Sequence, residues 1–387
     1  MDSNKLLLFI LCLISLCSCN ESKKNQSEKL FYQNEDFQYL KDKEVVKRIE
    51  LIKNFEIEEK IEIQFKRISK IAVDKYDRLY LENNKGVHVY QKDGRYLKTI
   101  GQNGRGPGEF QTIHNLKIRN DSIYVYDASL GRISVFDIKT HDLINEISIP
   151  STNGLIGLGD FGILEDGKIV IGLRGTKKNK NSVVTENFVE YFFLTRTGIL
   201  VKPSFHTSNL VSDFIIVNNK GTSYPPIPFD RTTFFTISDK NEIYFAWTGE
   251  IAFKKYNSEG EFIKGFHYSF NNLKVSNDDD FPEFHKNLGF VSDTKRILGN
   301  KLPKTFPAIA HFFTDDEDRL WLATIVPDEK NYEWWILGND GDQIAKFLLS
   351  KNSVIRTVKN NKAYVVATSL DTRVPTIISY ELKWIQN

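Results

Sequence analysis

Hydrophobic and polar positions along the chain repeat with a period of about forty residues, the length of a propeller blade. Each copy has a first apolar strand, a tight turn rich in Asp, Asn or Gly, and a second strand that opens on an apolar–aromatic or apolar–aliphatic pair. A loop, a third strand and a second turn, often with Gly, follow. The first turn reads clearly at Asp77-Arg78-Leu79-Tyr80, Asp121-Ser122-Ile123-Tyr124, Gly167-Lys168-Ile169-Val170, Asn241-Glu242-Ile243-Tyr244, Asp318-Arg319-Leu320-Trp321 and Asn361-Lys362-Ala363-Tyr364. Third strands such as Val87 to Tyr90, Ile133 to Phe136 and Ile251 to Tyr256 line up behind them. Fourth strands follow at Tyr96 to Ile100, Leu143 to Ile149, Phe262 to Phe266 and Gln343 to Leu348. Six four-stranded antiparallel meanders predict an all-β, six-bladed β-propeller.

The sixth copy stops after Thr376 to Leu382 without a fourth strand, and a spare strand stands within residues 55–65, where Phe55, Ile57, Ile61, Ile63 and Phe65 largely alternate with polar residues. Pairing the two would cover both open edges, so an N-terminal strand is expected to close the last blade. Two connections exceed what a blade needs. Residues 206–230 contain the stiff Tyr224-Pro225-Pro226-Ile227-Pro228, and in residues 271–305 Asp278-Asp279-Asp280 followed by Pro282 predicts a helix start.

Composition agrees with a strand-rich core: 41% of the 387 residues are hydrophobic, and Phe (28) and Tyr (16) are abundant. Lys and Arg number 52 against 50 acids, so the net charge of +2 gives no reason to expect a nucleic-acid partner. All cysteines, Cys12, Cys17 and Cys19, precede residue 20, which leaves no thiol pair for a disulfide in the rest of the chain.

Those cysteines belong to an N-terminal signal: Lys5, an apolar run from Leu6 to Leu16 too short to span a membrane, then small residues. Leu16-Cys17-Ser18-Cys19 resembles the lipobox of bacterial lipoproteins, which implies cleavage before Cys19 and lipidation of that residue. Three acyl chains would suffice for stable anchoring. The expected organisation is a lipoprotein signal peptide at 1–18, a lipidated tether at 19–43 and the propeller at 44–387. This places the protein in the cell envelope, on the outer membrane, with the side left open.

Between the first two repeats lies Ile100-Gly101-Gln102-Asn103-Gly104-Arg105-Gly106-Pro107-Gly108-Glu109-Phe110. It resembles the Gly-x-Gly-Pro-Gly-Glu-Phe linker of the NHL-like six-bladed β-propeller lipoproteins of Bacteroidota. The pattern from Leu302-Pro303 to Phe306-Pro307 before Asp315 to Trp321 is similar to that family too. The resemblance implies the fold and carries no assigned chemistry. It also implies a blade-specific role for Asp127 and Arg132, either an ion pair within the blade or contact with a ligand. The glycines suit either a tight crossover or amides that face a ligand.

A search for chemistry returns little. The sequence contains no Gly-x-Ser-x-Gly elbow, His-Glu-x-x-His pair, P-loop or dinucleotide glycine pattern after a strand. His114 and His311 sit early in inner strands of nearly opposite blades, where a metal could bridge them; hydrogen-bonded channel walls are the alternative. The acidic runs at Asp278 and Asp315 lack the loop spacing of an EF-hand. The strand phasing predicts that Arg105, Arg132, Arg174, Tyr224, Arg231, Trp247 and His311 converge on one channel mouth as ligand-binding residues, with Arg373 near the same rim. The expected function is a lipid-anchored binding module for an unknown ligand or envelope protein, with no cofactor and no catalysis evident. The alternative is a metal-dependent hydrolase or lyase working in the channel through His114, His311 and an acid.

Overall fold

The structure, a computed structural model, describes residues 31–32, 36–42, 47–58, 68, 70–83 and 85–386, except 153, 156, 179, 181, 219, 220 and 370. By its contacts the chain divides into Met1–Asn34, described only at Phe31 and Tyr32 in helical conformation, and Glu35–Asn387. The expected signal peptide, Cys19 and residues 59–65 of the expected closing strand lie outside the described residues.

Two strands come first, β1 (Phe37–Leu40) and β2 (Lys47–Ile57). Blade 1 is β3 (Ile71–Val73), β4 (Leu79–Asn83), β5 (Gly86–Tyr90) and β6 (Tyr96–Ile100). Blade 2 is β7 (Ile113–Arg119), β8 (Ser122–Asp127), β9 (Arg132–Asp137) and β10 (Leu143–Ser148). Blade 3 is β11 (Leu158–Ile163), β12 (Ile169–Lys178), β13 (Val184–Leu194) and β14 (Leu200–Phe214), followed by a hairpin of β15 (Ile216–Asn218) and β16 (Gly221–Ser223). Blade 4 is β17 (Thr233–Ile237), β18 (Ile243–Trp247), β19 (Ile251–Tyr256) and β20 (Phe262–Tyr268). After it come the helices α1 (Glu283–Asn287) and α2 (Val291–Leu298). Blade 5 is β21 (Ile309–Thr314), β22 (Leu320–Thr324), β23 (Asn331–Leu337) and β24 (Gln343–Ser350). Blade 6 has β25 (Ser353–Lys359), β26 (Lys362–Thr368) and β27 (Pro375–Gln386).

The inner strands β3, β7, β11, β17, β21 and β25 neighbour one another in turn, and β25 returns to β3, so the six blades form a ring. Its fourth strand for blade 6 is β2, antiparallel to β27 from Lys47 opposite Gln386 to Ile57 opposite Ile377. The closing strand is therefore Lys47–Ile57, not a strand within 55–65. An outermost strand buries little, here Ile49 and Ile57, so its alternation is weaker than that of the segment after it. Ahead of it β1 adds in parallel to β20 as a fifth strand of blade 4, with the Phe37 ring packed over Gly265, where a Cβ would come within 2.7 Å. Asp42 then pairs with Lys346 of blade 5 at 2.6 Å. The N-terminal segment thus straps blades 4, 5 and 6 along their outer edges.

The expected connection 206–230 is only partly a connection. Residues 206–214 belong to β14, which extends the fourth strand of blade 3 to Phe214. Its Pro203 is tolerated because the strand has a free edge. The acidic start of the second insertion behaves as expected: Asn277 caps a 3-10 turn over Asp278–Asp280 and Asp280 reciprocates. The two insertions share a small core of Phe214, Ile216, Ile227 and Leu298, and the His285 ring bonds the Pro226 carbonyl at 2.9 Å.

Six further apolar clusters sit one at each interface between neighbouring blades. Tyr80 and Val89 of blade 1 meet Leu116 and Val125 of blade 2. At the closing interface Ile57 and Ile377 of blade 6 meet Val73 and Leu79 of blade 1. Each second strand has neighbours on both faces, so β18 and β22 are buried at every residue. Each Leu, Ile or Phe side chain there contributes about 1.5–3 kcal/mol on burial.

Glycines of the turns between third and fourth strands have two reasons to be glycine. Gly94, Gly260 and Gly341 have positive φ, and a Cβ on them would strike Phe55, Phe205 and Phe266 of the preceding blade within 2.9 Å. Blade 2 places His141 there, also at positive φ, with its ring 3.1 Å from the Tyr80 hydroxyl of blade 1.

Candidate functional site

At the ends of the inner strands the turns form a closed belt, one link per interface. Lys75 pairs with Asp121 at 2.6 Å, Asn120 donates to the Glu165 carbonyl at 3.1 Å, and the Glu165 amide donates to Asn241 at 2.8 Å. The Lys240 amide donates to Asp318 at 2.9 Å, the Asn360 amide to Asp316 at 2.8 Å, and Lys362 pairs with Asp77 at 2.6 Å. Left-handed residues, among them Asp77, Gly167, Asn241, Asp318 and Asn361, turn the chain here. The repeated Asp-Arg-Leu-aromatic signature serves the same turns. In blade 1 the Asp74 carboxylate takes Arg78 at 2.6 Å and the Tyr80 hydroxyl at 3.0 Å. In blade 5 Asp315 takes Arg319 at 2.6 Å and Trp321 Nε1 at 2.7 Å.

Inside the ring, the inner strands enclose a cavity of about 520 Å³, within the range of small-molecule sites. At the belt end Arg119 of blade 2 and Lys359 of blade 6 both pair with Asp239 of blade 4, at 2.6 and 3.1 Å. These bonds join alternate blades and so cross the channel. Higher up, Lys70, Lys117, Arg174 and Arg356 line the cavity from blades 1, 2, 3 and 6, while Phe234 and His311 line it from blades 4 and 5.

The side chains of Lys70, Lys117 and Arg174 make no ion pair or hydrogen bond among the described residues. The Asp160 carboxylate, which acts on Lys117, accepts from Asn115 Nδ2 at 2.6 Å and from the Phe161 amide at 2.8 Å. Burial pushes the Lys117 ammonium below its ordinary value; Asp160 opposes the shift and Lys70 adds to it. Burial, with Arg356 beside it, holds His311 down to about 4, so the imidazole is neutral at pH 7. It stacks on Trp334 with an interplanar angle of 7°.

The expected convergence of seven residues is not what the structure has: Arg174 and His311 line the cavity and the other five do not. Trp247 is 2% exposed in the core of blade 4, because it ends a strand covered on both faces. Arg231 is spent on structure, donating to the Phe229 carbonyl and to Thr305 at 2.6 and 3.0 Å, which ties the two insertions together. Tyr224 is 61% exposed on the first insertion. Arg132 pairs with Glu146 at 3.1 Å and holds the carbonyls of Gly106 and Glu109. The expected Asp127–Arg132 pair is replaced, since Asp127 accepts four backbone amides, those of Gln111, Thr112, Ser129 and Leu130.

The glycine-rich linker carrying Arg105 folds onto itself. The Glu109 carboxylate accepts from Gln102 Nε2 and from the Gly106 amide, each at 2.8 Å, and these bonds lower its pKa. A Cβ on Gly104 would meet Glu109 within 1.9 Å, and one on Gly101 would meet the fully buried Phe110 within 2.4 Å. The linker is a crossover whose amides serve its own glutamate. Arg373, expected at the same rim, pairs with Glu283 of α1 at 2.9 Å.

Among the described residues no three His, Cys, Asp or Glu side chains are grouped to hold a metal ion, so the expected histidine pair with an acid is not assembled. His114 is exposed, and Arg174 and Lys70 act on it electrostatically. Sequence reasoning missed Lys70, Lys117, Asp160 and Arg356. The available signal was Lys117, a cation set between Leu116 and Ile118 in an inner strand.

The family described as 6-bladed beta-propeller matches residues 20–264. A candidate exported protein of Bacteroides fragilis has a similar solved structure, with TM-score 0.53 and 12% identity, covering 90% of this chain and 100% of that one. A second, a member of a domain-of-unknown-function family from Bacteroides vulgatus, has TM-score 0.49 and 10% identity and covers 88% and 99%. A gluconolactonase from Xanthomonas campestris has TM-score 0.42 and 10% identity and covers 87% and 90%. A search of curated proteins finds no match. Among the described residues no helix is long and apolar enough to cross a membrane.

Proposed function

This chain belongs to the 6-bladed beta-propeller family, and from that premise we propose that it is a ligand-binding module of the cell envelope, held at a membrane by lipid on Cys19, with the propeller channel as its site. One observation carries the choice of site: Lys70, Lys117 and Arg174 line one cavity of about 520 Å³ and make no ion pair among the described residues. Cationic groups kept in a concave site without partners suit a ligand better than a wall, because an unpaired, partly buried charge costs stability. The envelope placement is supported by the lipobox-like Leu16 to Cys19 and by the export proposed for the similar B. fragilis protein.

The site is tested by screening a small-molecule library by thermal shift against the wild type and against Thr232→Trp, which places an indole in the cavity wall. Hits that vanish in a stable Thr232→Trp variant are expected; hits that bind it equally well refute the channel as the site. The anchor is tested with Cys19→Ala, which should move the protein from the membrane to the soluble fraction and abolish acyl labelling.

A further inference from the structure

The channel wall is divided around its circumference. Blades 6, 1, 2 and 3 contribute Arg356, Lys70, Lys117 and Arg174, and blades 4 and 5 face them with Phe234 and His311. We propose that the ligand is an organic anion whose charged group sits on Lys117 and its cationic neighbours and whose apolar or ring body lies against Phe234 and His311. This rests on the channel being the binding site.

Among the described residues Lys70, Lys117 and Arg174 stand against Asp160, which leaves an excess of positive charge in this part of the cavity, and Asp160 is already engaged by Asn115 and the Phe161 amide. An ammonium in a partly desolvated wall gains most from an anion brought to it, through charge-assisted hydrogen bonds. The other acids of the channel are Asp239, Asp315 and Asp316 at the belt end, where Lys359 pairs with Asp239 and Arg319 with Asp315. An anion is therefore drawn to the cationic arc and away from the belt. On the facing side the Phe234 ring and the neutral His311 imidazole, stacked on Trp334, offer an apolar face and a hydrogen-bonding nitrogen. That surface is of no use to a bare inorganic ion and suits the body of a carboxylated or phosphorylated ring compound.

The test is isothermal titration of the full propeller with D-glucuronate, benzoate and inorganic phosphate, and with the neutral D-glucose and benzyl alcohol. Wild type, Lys117→Met, Arg174→Ala and Thr232→Trp are compared. At least one organic anion should bind at least tenfold more tightly than its neutral counterpart and weaken with added salt. It should also lose tenfold or more in Lys117→Met; Arg174→Ala, an exposed position, gives the same readout if Lys117→Met does not fold. Equal binding of neutral and anionic partners, or phosphate as tight as the organic anions, overturns the proposal. So does the absence of anion binding while library hits are still lost in Thr232→Trp, and in that case the channel reading survives. If those hits persist in Thr232→Trp, the channel reading itself falls.

Discussion

Arg119 ends the inner strand of blade 2, and its guanidinium donates to the Asp239 carboxylate of blade 4 at 2.6 Å and to the Asp239 carbonyl at 2.8 Å. The partners are two blades apart, so the bond spans the channel instead of following the ring. Lys359 of blade 6 reaches the other oxygen of the same carboxylate at 3.1 Å. Asp239 therefore ties alternate blades together from one point, at the end of the cavity where the turns already form a belt.

That arrangement predicts measurable coupling. The Arg119 side chain is 12% exposed and that of Asp239 47%, so solvent screens the pair and its coupling should be modest, about 1 kcal/mol. A double-mutant cycle of Arg119→Ala and Asp239→Ala, read by urea denaturation, should give that value. Strict additivity would mean that the contact does not tie the blades.

Glycine substitutions separate strain from packing. Gly131 has φ 64° with nothing within 4 Å of an added Cβ, so Gly131→Ala should cost about 1 kcal/mol from the left-handed backbone alone. Gly260, at φ 80°, would bring its Cβ within 2.7 Å of the Phe205 ring of blade 3. Gly260→Ala should cost at least about 2 kcal/mol, because overpacking is added to the strain. Equal losses at both sites would count against the interlock between blades.

Closure of the ring depends on the buried side of β2. Ile49 is 8% exposed and packs with Trp321, Val365 and Leu382. Ile49→Ala should destabilise by about 2–4 kcal/mol, and Ile49→Asp should yield aggregating protein by opening the edge of β27. A chain starting at residue 36 should keep its cooperative melt, since both strap strands remain. Soluble, cooperatively melting Ile49→Asp would contradict the closing role.

Acid should weaken the fold through partly buried histidines. His206 stacks on Phe245 with ring centroids 3.8 Å apart and contacts the Tyr256 hydroxyl at 3.0 Å. Burial, with Lys254 adding to it, holds the His206 pKa well below the ordinary value, and His311 is lowered to about 4. The unfolded chain takes up these protons near pH 6.5, before the folded one does. Their contribution is complete above about pH 6.5 and declines as pH falls toward about 4. The drop in Tm from pH 7 to pH 5 should shrink in His206→Phe/His311→Phe; an unchanged drop would assign acid sensitivity to other groups.

Sequence alone determined the repeat, because each tight turn needs a left-handed residue and each second strand needs unbroken apolar side chains. Both demands leave local marks, as at Asp77-Arg78-Leu79-Tyr80 and Asp318-Arg319-Leu320-Trp321. The need for an N-terminal closing strand was legible too, since it follows from an unpaired edge. Which strand closes the ring was decided by tertiary structure: β2 buries one sparse row of side chains, and its register comes from β27. The candidate site was decided in the same way. Arg132 and Arg231 look like Arg174 in the sequence, but their partners, Glu146 and Thr305, stand 14 and 74 residues away, and only the folded ring shows which arginines are already engaged. Lys117 became a candidate because the curvature of six blades gathers Lys70, Asp160 and Arg174 around it, and local sequence carries no record of that curvature.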